Sequence, residues 1–354
     1  MDPLPVGKLK LEYLAALLAR YTQPEERVLL GAGIGEDATV IDFGDRYLVA
    51  KTDPITFATD EVGWYAVHVN ANDIATTGAE PKWFLVTLLL PEGRTDKALV
   101  ERIFSQLAEA CGQIGASLCG GHTEVTYGLD RPIVVGQMLG EVAPDQLVTS
   151  KGARVGDMIL LTKAVAVEGT AIIAREKASE LADEYPEDFL SRCRNLLRDP
   201  GISVLPEARI AVRTAQVHAM HDPTEGGLAT GLWELARASG VGLHIDRDAI
   251  PVLPETAALC ARYDLNPLGV IASGSLLLAL APEDAPLVIA ALDAAHIPAT
   301  VIGKVILPEE GLILVVDGVA QRLPRFEPDE IARLFADWDS STNPRSSLAP
   351  RRCR

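Results

Sequence analysis

Apolar residues recur along the chain at two spacings, one typical of helices and the other of strands. Helical spacing predicts helices over residues 8–22, 61–78, 95–114, 167–179, 204–215 and 227–239. Short apolar runs predict strands at 38–43, 47–50, 82–90, 116–119, 133–140 and 152–164. Apolar segments on either side of Asp317-Gly318 predict a hairpin. Helices and strands are mixed in both halves without strict alternation, which favours an α+β fold.

The length of the chain indicates more than one domain. At 354 residues it exceeds what one ordinary hydrophobic core holds, and the pattern of elements restarts at Gly152. We therefore predict an N-terminal domain over residues 1–149 and a C-terminal domain over 150–325. Residues 326–354 are predicted to form a helix and then a disordered tail, because the segment from Asp339 is polar, basic and contains proline.

Charge and composition narrow the set of partners. Hydrophobic residues make up 48% of the chain, charged residues make up 23%, and the formal net charge is −17. Because such an acidic surface repels phosphate backbones, we expect no nucleic acid partner. For the same reason, a polyphosphate ligand would need metal ions in order to bind. No apolar run reaches the roughly 18 residues of a membrane span, and the first residues lack the plan of a signal peptide. We therefore expect a cytoplasmic protein with no membrane segment. Five cysteines without a CxxC pair indicate neither a zinc site nor a disulfide framework.

The first segment with candidate chemistry is Gly31-Ala-Gly33-Ile-Gly35-Glu36-Asp37. It is not a dinucleotide-binding loop, because Glu36 stands where that motif requires glycine and a strand pattern follows instead of a helix. The glycines are better explained as a sharp turn before two carboxylates. A surface turn with solvated acids is the alternative.

Polar residues also interrupt a strand and a helix in the N-terminal half. Lys51-Thr52-Asp53 ends a strand pattern, where an acid is often only a turn residue or a helix cap. Asn70, Asn72 and Asp73 lie in a helix pattern that is otherwise small and apolar. Each would cost about 1–3 kcal/mol if it were buried without a partner, so they either share a solvated face or bind something. Aspartate is a ligand that Mg²⁺ prefers, often in a bridge to phosphates.

Two segments with paired glycines complete the set. In Gly120-Gly121-His122-Thr123-Glu124 the glycines follow a strand and would let backbone N–H groups approach an anion. His122 and Glu124 are candidate ligands or acid–base groups, and a structural histidine is the alternative. The segment His221-Asp222-Pro223-Thr224-Glu225-Gly226-Gly227 precedes a helix, whose N-terminus attracts phosphate. There, a capped helix start without a ligand is the alternative.

Together and in this order, the five segments resemble the aminoimidazole ribonucleotide (AIR) synthase-like superfamily. The matching stretches are GIGEDA at 33–38, KTD at 51–53, NDIATTGAEP at 72–81, GGHTE at 120–124 and DPTEGGLA at 222–229. The resemblance extends from about residue 30 to about residue 322. The stretch from His221 to Asp246, followed by IPVLPE, is most similar to the HypE-like branch, whose members act in hydrogenase maturation.

The resemblance implies an α+β fold of two domains, in which the N-terminal domains of two chains share a β-barrel in a homodimer and the C-terminal domain is a mixed α/β sandwich. It implies ATP bound between the domains or across the dimer, with its phosphates held through Mg²⁺ by Asp37, Asp53 and Asp73. The residues that it implies around the nucleotide are Lys51, Asn72, Gly120, Gly121, Thr123, Asp222, Thr224, Gly226 and Gly227. The implied catalytic groups are His122 and Glu124. The implied reaction transfers phosphate from ATP to an amide or carbonyl-type acceptor, either a small molecule or a group carried on a protein.

The chain departs from the HypE-like pattern where the acceptor would react. Cys353 is followed by Arg354, whereas a terminal cysteine is the substrate in that branch, so we expect Cys353 not to serve as one. Glu124 replaces a lysine, and Ala272-Ser273-Gly274-Ser275 replaces Asn-Glu-Gly-Lys. The main hypothesis is therefore an ATP-dependent enzyme with a different acceptor. A nucleotide-binding maturation scaffold with reduced catalysis is the alternative.

Overall fold

The computed structural model describes residues 9, 11–23, 25–33, 36–56, 60–326 and 328–336. Ile34 and Gly35 of the first glycine segment, Cys353 and the predicted tail lie outside these residues. Within them, none of the helices combines the length and the apolar character that crossing a membrane requires. The strands form two sheets, one in each half of the chain.

Six strands form the first sheet. They are β1 (Val28–Leu30), β2 (Thr39–Asp42), β3 (Tyr47–Ile55), β4 (Glu80–Pro91), β5 (Ser117–Thr126) and β6 (Ile133–Val142). Their order across the sheet is β1-β2-β3-β6-β4-β5, in which β4 and β5 are parallel and the other neighbours are antiparallel. Among the described residues this sheet is open, with β1 and β5 at its edges. The barrel implied by the resemblance therefore requires strands from a second chain.

Seven strands form the second sheet. They are β7 (Met158–Thr162), β8 (Val217–His221), β9 (Gly242–Asp246), β10 (Leu277–Leu280), β11 (Ala299–Ile306), β12 (Leu312–Val316) and β13 (Val319–Arg322). Their order is β13-β12-β9-β11-β7-β10-β8, and β12 and β9 are the parallel pair. The hairpin predicted at Asp317-Gly318 is confirmed as the turn between β12 and β13. The predicted domain boundary near residue 150 falls in the segment that connects β6 to β7.

Eleven α-helices are present in the described residues. They are α1 (Leu11–Tyr21), α2 (Val62–Ala75), α3 (Lys97–Ile114), α4 (Val167–Glu176), α5 (Ala178–Leu181), α6 (Glu187–Asn195), α7 (Leu205–Thr214), α8 (Gly227–Ser239), α9 (Pro254–Arg262), α10 (Ala285–Ala294) and α11 (Ala332–Ala336). The six predicted helices are confirmed to within a few residues at their ends. The α3 helix begins where Asp96 accepts a hydrogen bond from the Leu99 N–H at 2.8 Å, the usual role of an aspartate cap. The α6 helix was not predicted, because it is charged and buries only Leu190 and Cys193, which is too few residues for a helical apolar pattern.

The β5 strand is longer than predicted. A strand over residues 116–119 with the paired glycines after it was expected, but β5 continues through Gly120 and Gly121 to Thr126, so the predicted end of the strand is wrong. At Gly121 the backbone has a φ of 145°, and a Cβ atom would lie 1.8 Å from the carbonyl oxygen of Val86 on β4. Glycine is therefore required for the close contact between two strands.

Polar side chains of the buried helix α2 connect it to both halves of the chain. The Asn70 amide donates to the carbonyl oxygens of Ala66 and Asp53. The Asn72 amide donates to the carbonyl of Ile202 at 2.7 Å, and its oxygen accepts from the Val204 N–H at 2.9 Å. Since α2 is buried along its whole length, the alternative of a solvated polar face is wrong. Asn72 joins the first sheet's helix to the second half, and both of its amide atoms are used in that contact.

Replacing Asn72 by alanine leaves two buried backbone groups, the carbonyl of Ile202 and the N–H of Val204, without these partners. We expect Asn72→Ala to lower the free energy of unfolding by about 2–4 kcal/mol, measured by urea titration. Gln113→Ala at an exposed position on α3 is the control, with an expected change below about 0.5 kcal/mol. A loss at position 72 no larger than that of the control would contradict this account of the contact.

Candidate functional site

Three aspartates from separate parts of the chain meet between the two halves. Asp37 precedes β2, Asp73 lies near the end of α2, and Asp222 directly follows β8. One carboxylate oxygen of each lies within 4.8 Å of those of the other two. The sequence predicts Asp37 and Asp73 as metal ligands and Asp222 as part of the nucleotide site. The structure brings all three together, and we call them the aspartate cluster.

Two of the three carboxyl groups of the aspartate cluster are buried. Asp73 is 4% exposed and Asp222 is 2% exposed. Burial raises the pKa of Asp73 to about 7, with the charges of Asp37 and Asp53 adding to the effect and that of Lys51 opposing it. Burial, and then Asp73 and Asp37, raise the pKa of Asp222 well above its ordinary value. Neither carboxylate oxygen of Asp222 has a hydrogen-bond partner among the described residues. A set of buried oxygens that lack partners suits a hard divalent cation such as Mg²⁺.

Lys51 and Asp53 lie beside the aspartate cluster on one face of β3, two residues apart along the strand. The ammonium nitrogen of Lys51 is 3.1 Å from Asp73 and 3.7 Å from Asp53. Burial opposes the charge on Lys51, but the carboxylates of Asp73 and Asp53 outweigh it and raise the pKa of the ammonium group. Asp53 was predicted as a metal ligand, and it contacts Lys51 without being one of the three clustered aspartates.

His221 holds the side chain of Asp37 in position. Its Nδ1 atom is 2.9 Å from a carboxylate oxygen of Asp37, and its Nε2 atom is 3.1 Å from one of Glu234 on α8. Burial opposes protonation of the ring, but the two carboxylates outweigh it and raise the pKa of His221 well above its ordinary value. A ring with a carboxylate on each nitrogen donates from both, so His221 is a cation. His221 begins the last candidate segment, but no role was predicted for it or for Glu234, because no motif spacing relates either residue to Asp37.

The residues before α8 pack against the chain itself. At Gly227 the φ is 65°, and a Cβ atom would lie 2.5 Å from the carbonyl oxygen of Leu268. The Gly226 N–H donates to Asp329 at 2.6 Å, and the carbonyl oxygen of Thr224 accepts from the Ala272 N–H at 3.2 Å. These contacts fix the start of α8 close to Asp222. A role for Thr224, Gly226 and Gly227 in nucleotide binding stays a prediction.

His122 and Glu124 lie apart from the aspartate cluster within one chain. Both are exposed on β5, with 3.1 Å between His122 Nε2 and a carboxylate oxygen of Glu124. Across the first sheet, Asp53 on β3 pairs with Gly136 on β6, which pairs with Val86 on β4. Val86 in turn pairs with Gly121 on β5. Asp53 and Gly121 are therefore separated by three strand spacings, or roughly 14 Å. The residues predicted at Gly120, Gly121, His122, Thr123 and Glu124 therefore do not join the aspartates of their own chain.

The stretch Ala272–Ser275, where the HypE-like branch carries an acid and a lysine, lies against a different acid here. Ser273 is buried and interacts with the carboxyl group of Glu168 of α4. Burial raises the pKa of Glu168 to about 7; the interaction with Ser273 opposes this rise, and the charges of Glu225 and Asp329 add to it. A carboxyl group therefore does lie at this place in the structure, but α4 supplies it instead of position 273. Glu168 was not predicted as a site residue, because nothing in its local sequence pattern relates it to Ser273.

The buried position of Glu168 predicts a pH-dependent stability. Its pKa rises from an ordinary value of 4.5 to about 7 in the folded chain, so the folded state binds the proton more tightly. This contribution to stability is complete below the ordinary pKa and is lost as the pH rises through the folded pKa. Over that interval we expect the unfolding free energy of the natural chain to fall, relative to that of Glu168→Gln, by up to about 3 kcal/mol in urea titrations.

The matched control for Glu168 is Glu101, which is exposed on α3. Glu101→Gln should follow the pH profile of the natural chain. If Glu168→Gln also followed it, the environment described for Glu168 would be incorrect.

Comparison with known proteins identifies the class to which this fold and site belong. The family described as AIR synthase related protein matches with its N-terminal domain at residues 35–142 and with its C-terminal domain at 154–315. The chain belongs to the AIR synthase related protein family. It is 32% identical over 269 residues to carbamoyl dehydratase HypE of Cupriavidus necator, which covers 74% of this chain and 73% of that protein.

Solved structures agree on the fold. A chain in a crystal structure of a HypE–HypF complex matches with a TM-score of 0.73 and 21% identity, over 89% of this chain and 99% of that chain. A crystal structure of hydrogenase maturation protein HypE with ATP matches with a TM-score of 0.69 and 24% identity, over 89% of this chain and 91% of that one. The fold is therefore the two-domain AIR synthase-like fold, and the fold class expected from the sequence is confirmed.

Proposed function

We propose that this chain binds ATP with Mg²⁺ at the aspartate cluster and transfers phosphate to an amide or carbonyl-type acceptor. The observation that carries the proposal is the meeting of Asp37, Asp73 and Asp222, whose oxygens lie within 4.8 Å of one another and are only partly neutralised by the chain. The similar protein of Cupriavidus necator is named a carbamoyl dehydratase, and a related HypE has been solved with ATP. Removing water from an amide requires its oxygen to become a leaving group, and phosphate transferred from ATP makes it one.

Each residue of the site has a distinct part in this proposal. Asp37, Asp73 and Asp222 are the ligands for Mg²⁺, which when bound neutralises charge on the phosphates. Lys51 lies between Asp73 and Asp53 and reduces their repulsion without occupying the unpartnered oxygens of Asp222. His221 orients Asp37 through a bond that Glu234 reinforces. Asp53, which is more exposed, remains a candidate ligand on the nucleotide side of the site.

Replacing Asp73 or Asp222 by asparagine keeps the shape of the side chain and removes its charge. We expect Asp73→Asn and Asp222→Asn each to weaken Mg-ATP binding at least about 10-fold in calorimetric titrations, the equivalent of about 1.4 kcal/mol. Asp45→Asn, at an exposed position between β2 and β3, is the control and should bind as the natural chain does. Unchanged affinity in both cluster variants would sink the proposal.

The alternative is a nucleotide-binding maturation scaffold with reduced catalysis. It is favoured by Ser273 and Ser275, which stand where the HypE-like branch carries an acid and a lysine. The nearby Glu168 weakens this alternative, since it supplies an acid next to Ser273. Release of phosphate from ATP that depends on an added amide would exclude a scaffold. The crystal structure of a related HypE with HypF supports a protein-borne acceptor as one of the two possibilities, and a cytoplasmic location stays a prediction.

We also propose that the chain forms a homodimer through the edge of its first sheet. The β5 edge strand exposes Val125 by 58%, and Tyr127 just beyond it is 84% exposed. A long exposed edge with apolar side chains is a ready template for pairing with another strand. In such a dimer, His122 and Glu124 keep a catalytic role only if β5 meets the aspartate cluster of the second copy.

A charge on the β5 edge should prevent this association. We expect Val125→Lys to shift the chain from dimer to monomer in sedimentation experiments, because lysine on an edge strand opposes pairing. Val319→Lys is the matched control, since Val319 is 68% exposed on β13, the edge strand of the second sheet. Equal masses for both variants would argue against β5 as the interface.

A further inference from the structure

The last part of the chain that the structure describes packs onto the loop at Gly269. Residues 323–326 and 328–336, which we call the C-terminal segment, follow β13 and end with α11. They lie beyond residue 315, where the match to the family's C-terminal domain ends. The ring of Phe326 covers Gly269 so closely that a Cβ atom on that glycine would lie 2.4 Å from it. The C-terminal segment is therefore packed against the second half of the chain.

Asp329 of this segment joins two separate loops through its carboxylate. One oxygen accepts a hydrogen bond from the Gly226 N–H at 2.6 Å. The other accepts from the N–H groups of Ile271 at 3.3 Å and Ile331 at 2.8 Å. Gly226 directly precedes α8, and Ile271 directly precedes the stretch Ala272–Ser275. Because hydrogen bonds to an ionised carboxylate are stronger than those between neutral groups, Asp329 holds the two loops firmly together.

The start of α8 determines in turn where Asp222 lies. Pro223 packs on α8 at Gly231, where a Cβ atom would lie 3.0 Å from the proline side chain. Asp222 directly precedes Pro223, and neither of its carboxylate oxygens has a hydrogen-bond partner among the described residues. The direction of this carboxylate therefore depends on the backbone on either side of it. The β8 strand holds that backbone before Asp222, and the loop bonded to Asp329 holds it afterwards.

We infer that Asp329 is a positioning residue, which aligns Asp222 for the divalent cation by holding the Gly226 N–H. The inference rests on the proposed function, in which Asp222 is a ligand of that cation. The Gly226 N–H serves this contact and is not a donor to phosphate while the contact is kept. Gly226 thus acts on the site through the backbone that it shares with Asp222.

An asparagine at position 329 separates the contact with Gly226 from the other two. Burial raises the pKa of Asp329 to about 6, its three N–H partners oppose the rise, and the charge of Glu225 adds to it. At a pH well above that value both oxygens of the carboxylate accept hydrogen bonds. The single oxygen of asparagine can keep the bonds from Ile271 and Ile331. Its amide group would then face the Gly226 N–H, and two donors form no bond with each other.

The test compares Mg-ATP binding by two variants of the C-terminal segment. We expect Asp329→Asn to weaken binding at least about 5-fold in calorimetric titrations at a pH well above 6, because the loop that holds Asp222 loses one charge-assisted bond. Glu330→Gln is the matched control, since it makes the same change of carboxylate to amide in the same segment. Glu330 accepts from the Asn266 N–H at 3.0 Å instead of from Gly226, so this variant should bind as the natural chain does.

Urea titrations of both variants establish that each is folded and compare their losses of stability. Equal affinities in the two variants would overturn the inference. Tighter binding by Asp329→Asn would also overturn it, because Asp329 would then obstruct the nucleotide. Failure of the natural chain to bind Mg-ATP would count against the proposed function, whereas binding by the natural chain and by Asp329→Asn with one affinity would count against this inference alone.

A second measurement uses the natural chain and so does not depend on the folding of a variant. The short bond from Gly226 to a carboxylate should move its amide proton downfield in NMR spectra of the isotopically labelled chain. We expect this shift to persist when Mg²⁺ and a non-hydrolysable ATP analogue bind, because a positioning residue keeps its contact. Loss of the shift on binding would mean that a phosphate displaces Asp329, and the inference would then be wrong.

Discussion

Carboxylates held close together in a buried position repel one another strongly, because little solvent screens their charges. In this chain the repulsion falls on Asp37, Asp73 and Asp222, and the cations Lys51 and His221 offset only part of it. The oxygens of Asp222 still lack partners. In the proposed function, a divalent cation would satisfy these aspartates and the phosphates together, and this would let a chain with a net charge of −17 bind a polyphosphate.

Because the aspartates come from both halves of the chain, the cluster forms only if the two halves keep a fixed relative position. Three contacts do this around the site. Asn72 binds the backbone at Ile202 and Val204, Glu80 forms an ion pair with Arg209, and Glu36 binds Ser150 and Lys151. Each involves a residue within or next to a motif that the sequence analysis assigned to the ligand. Part of each motif therefore serves the assembly of the site and not the ligand directly.

The sequence predicted what depends on local pattern. Apolar spacing located most helices and strands, and the acids Asp37, Asp73 and Asp222 were all selected. It could not predict contacts between distant segments, so Glu168 beside Ser273 and His221 between Asp37 and Glu234 were missed. It also placed Gly121 after the end of the strand, because glycine serves both anion-binding loops and close strand contacts, and only the pairing with Val86 distinguishes the two. His122 and Glu124 lie on an open edge of the first sheet, so a catalytic role for them belongs to the proposed homodimer, which one sequence does not display.

The central claim is that the aspartate cluster recognises ATP only through a divalent cation. The most direct measurement compares ATP binding by calorimetry in Mg²⁺ and in an excess of chelator, at one ionic strength. Without the cation the phosphates would face unneutralised aspartates, so we expect affinity to fall at least about 100-fold, or about 2.8 kcal/mol. Equal affinity in the two conditions would contradict the account, since the nucleotide would then be held by groups other than these carboxylates.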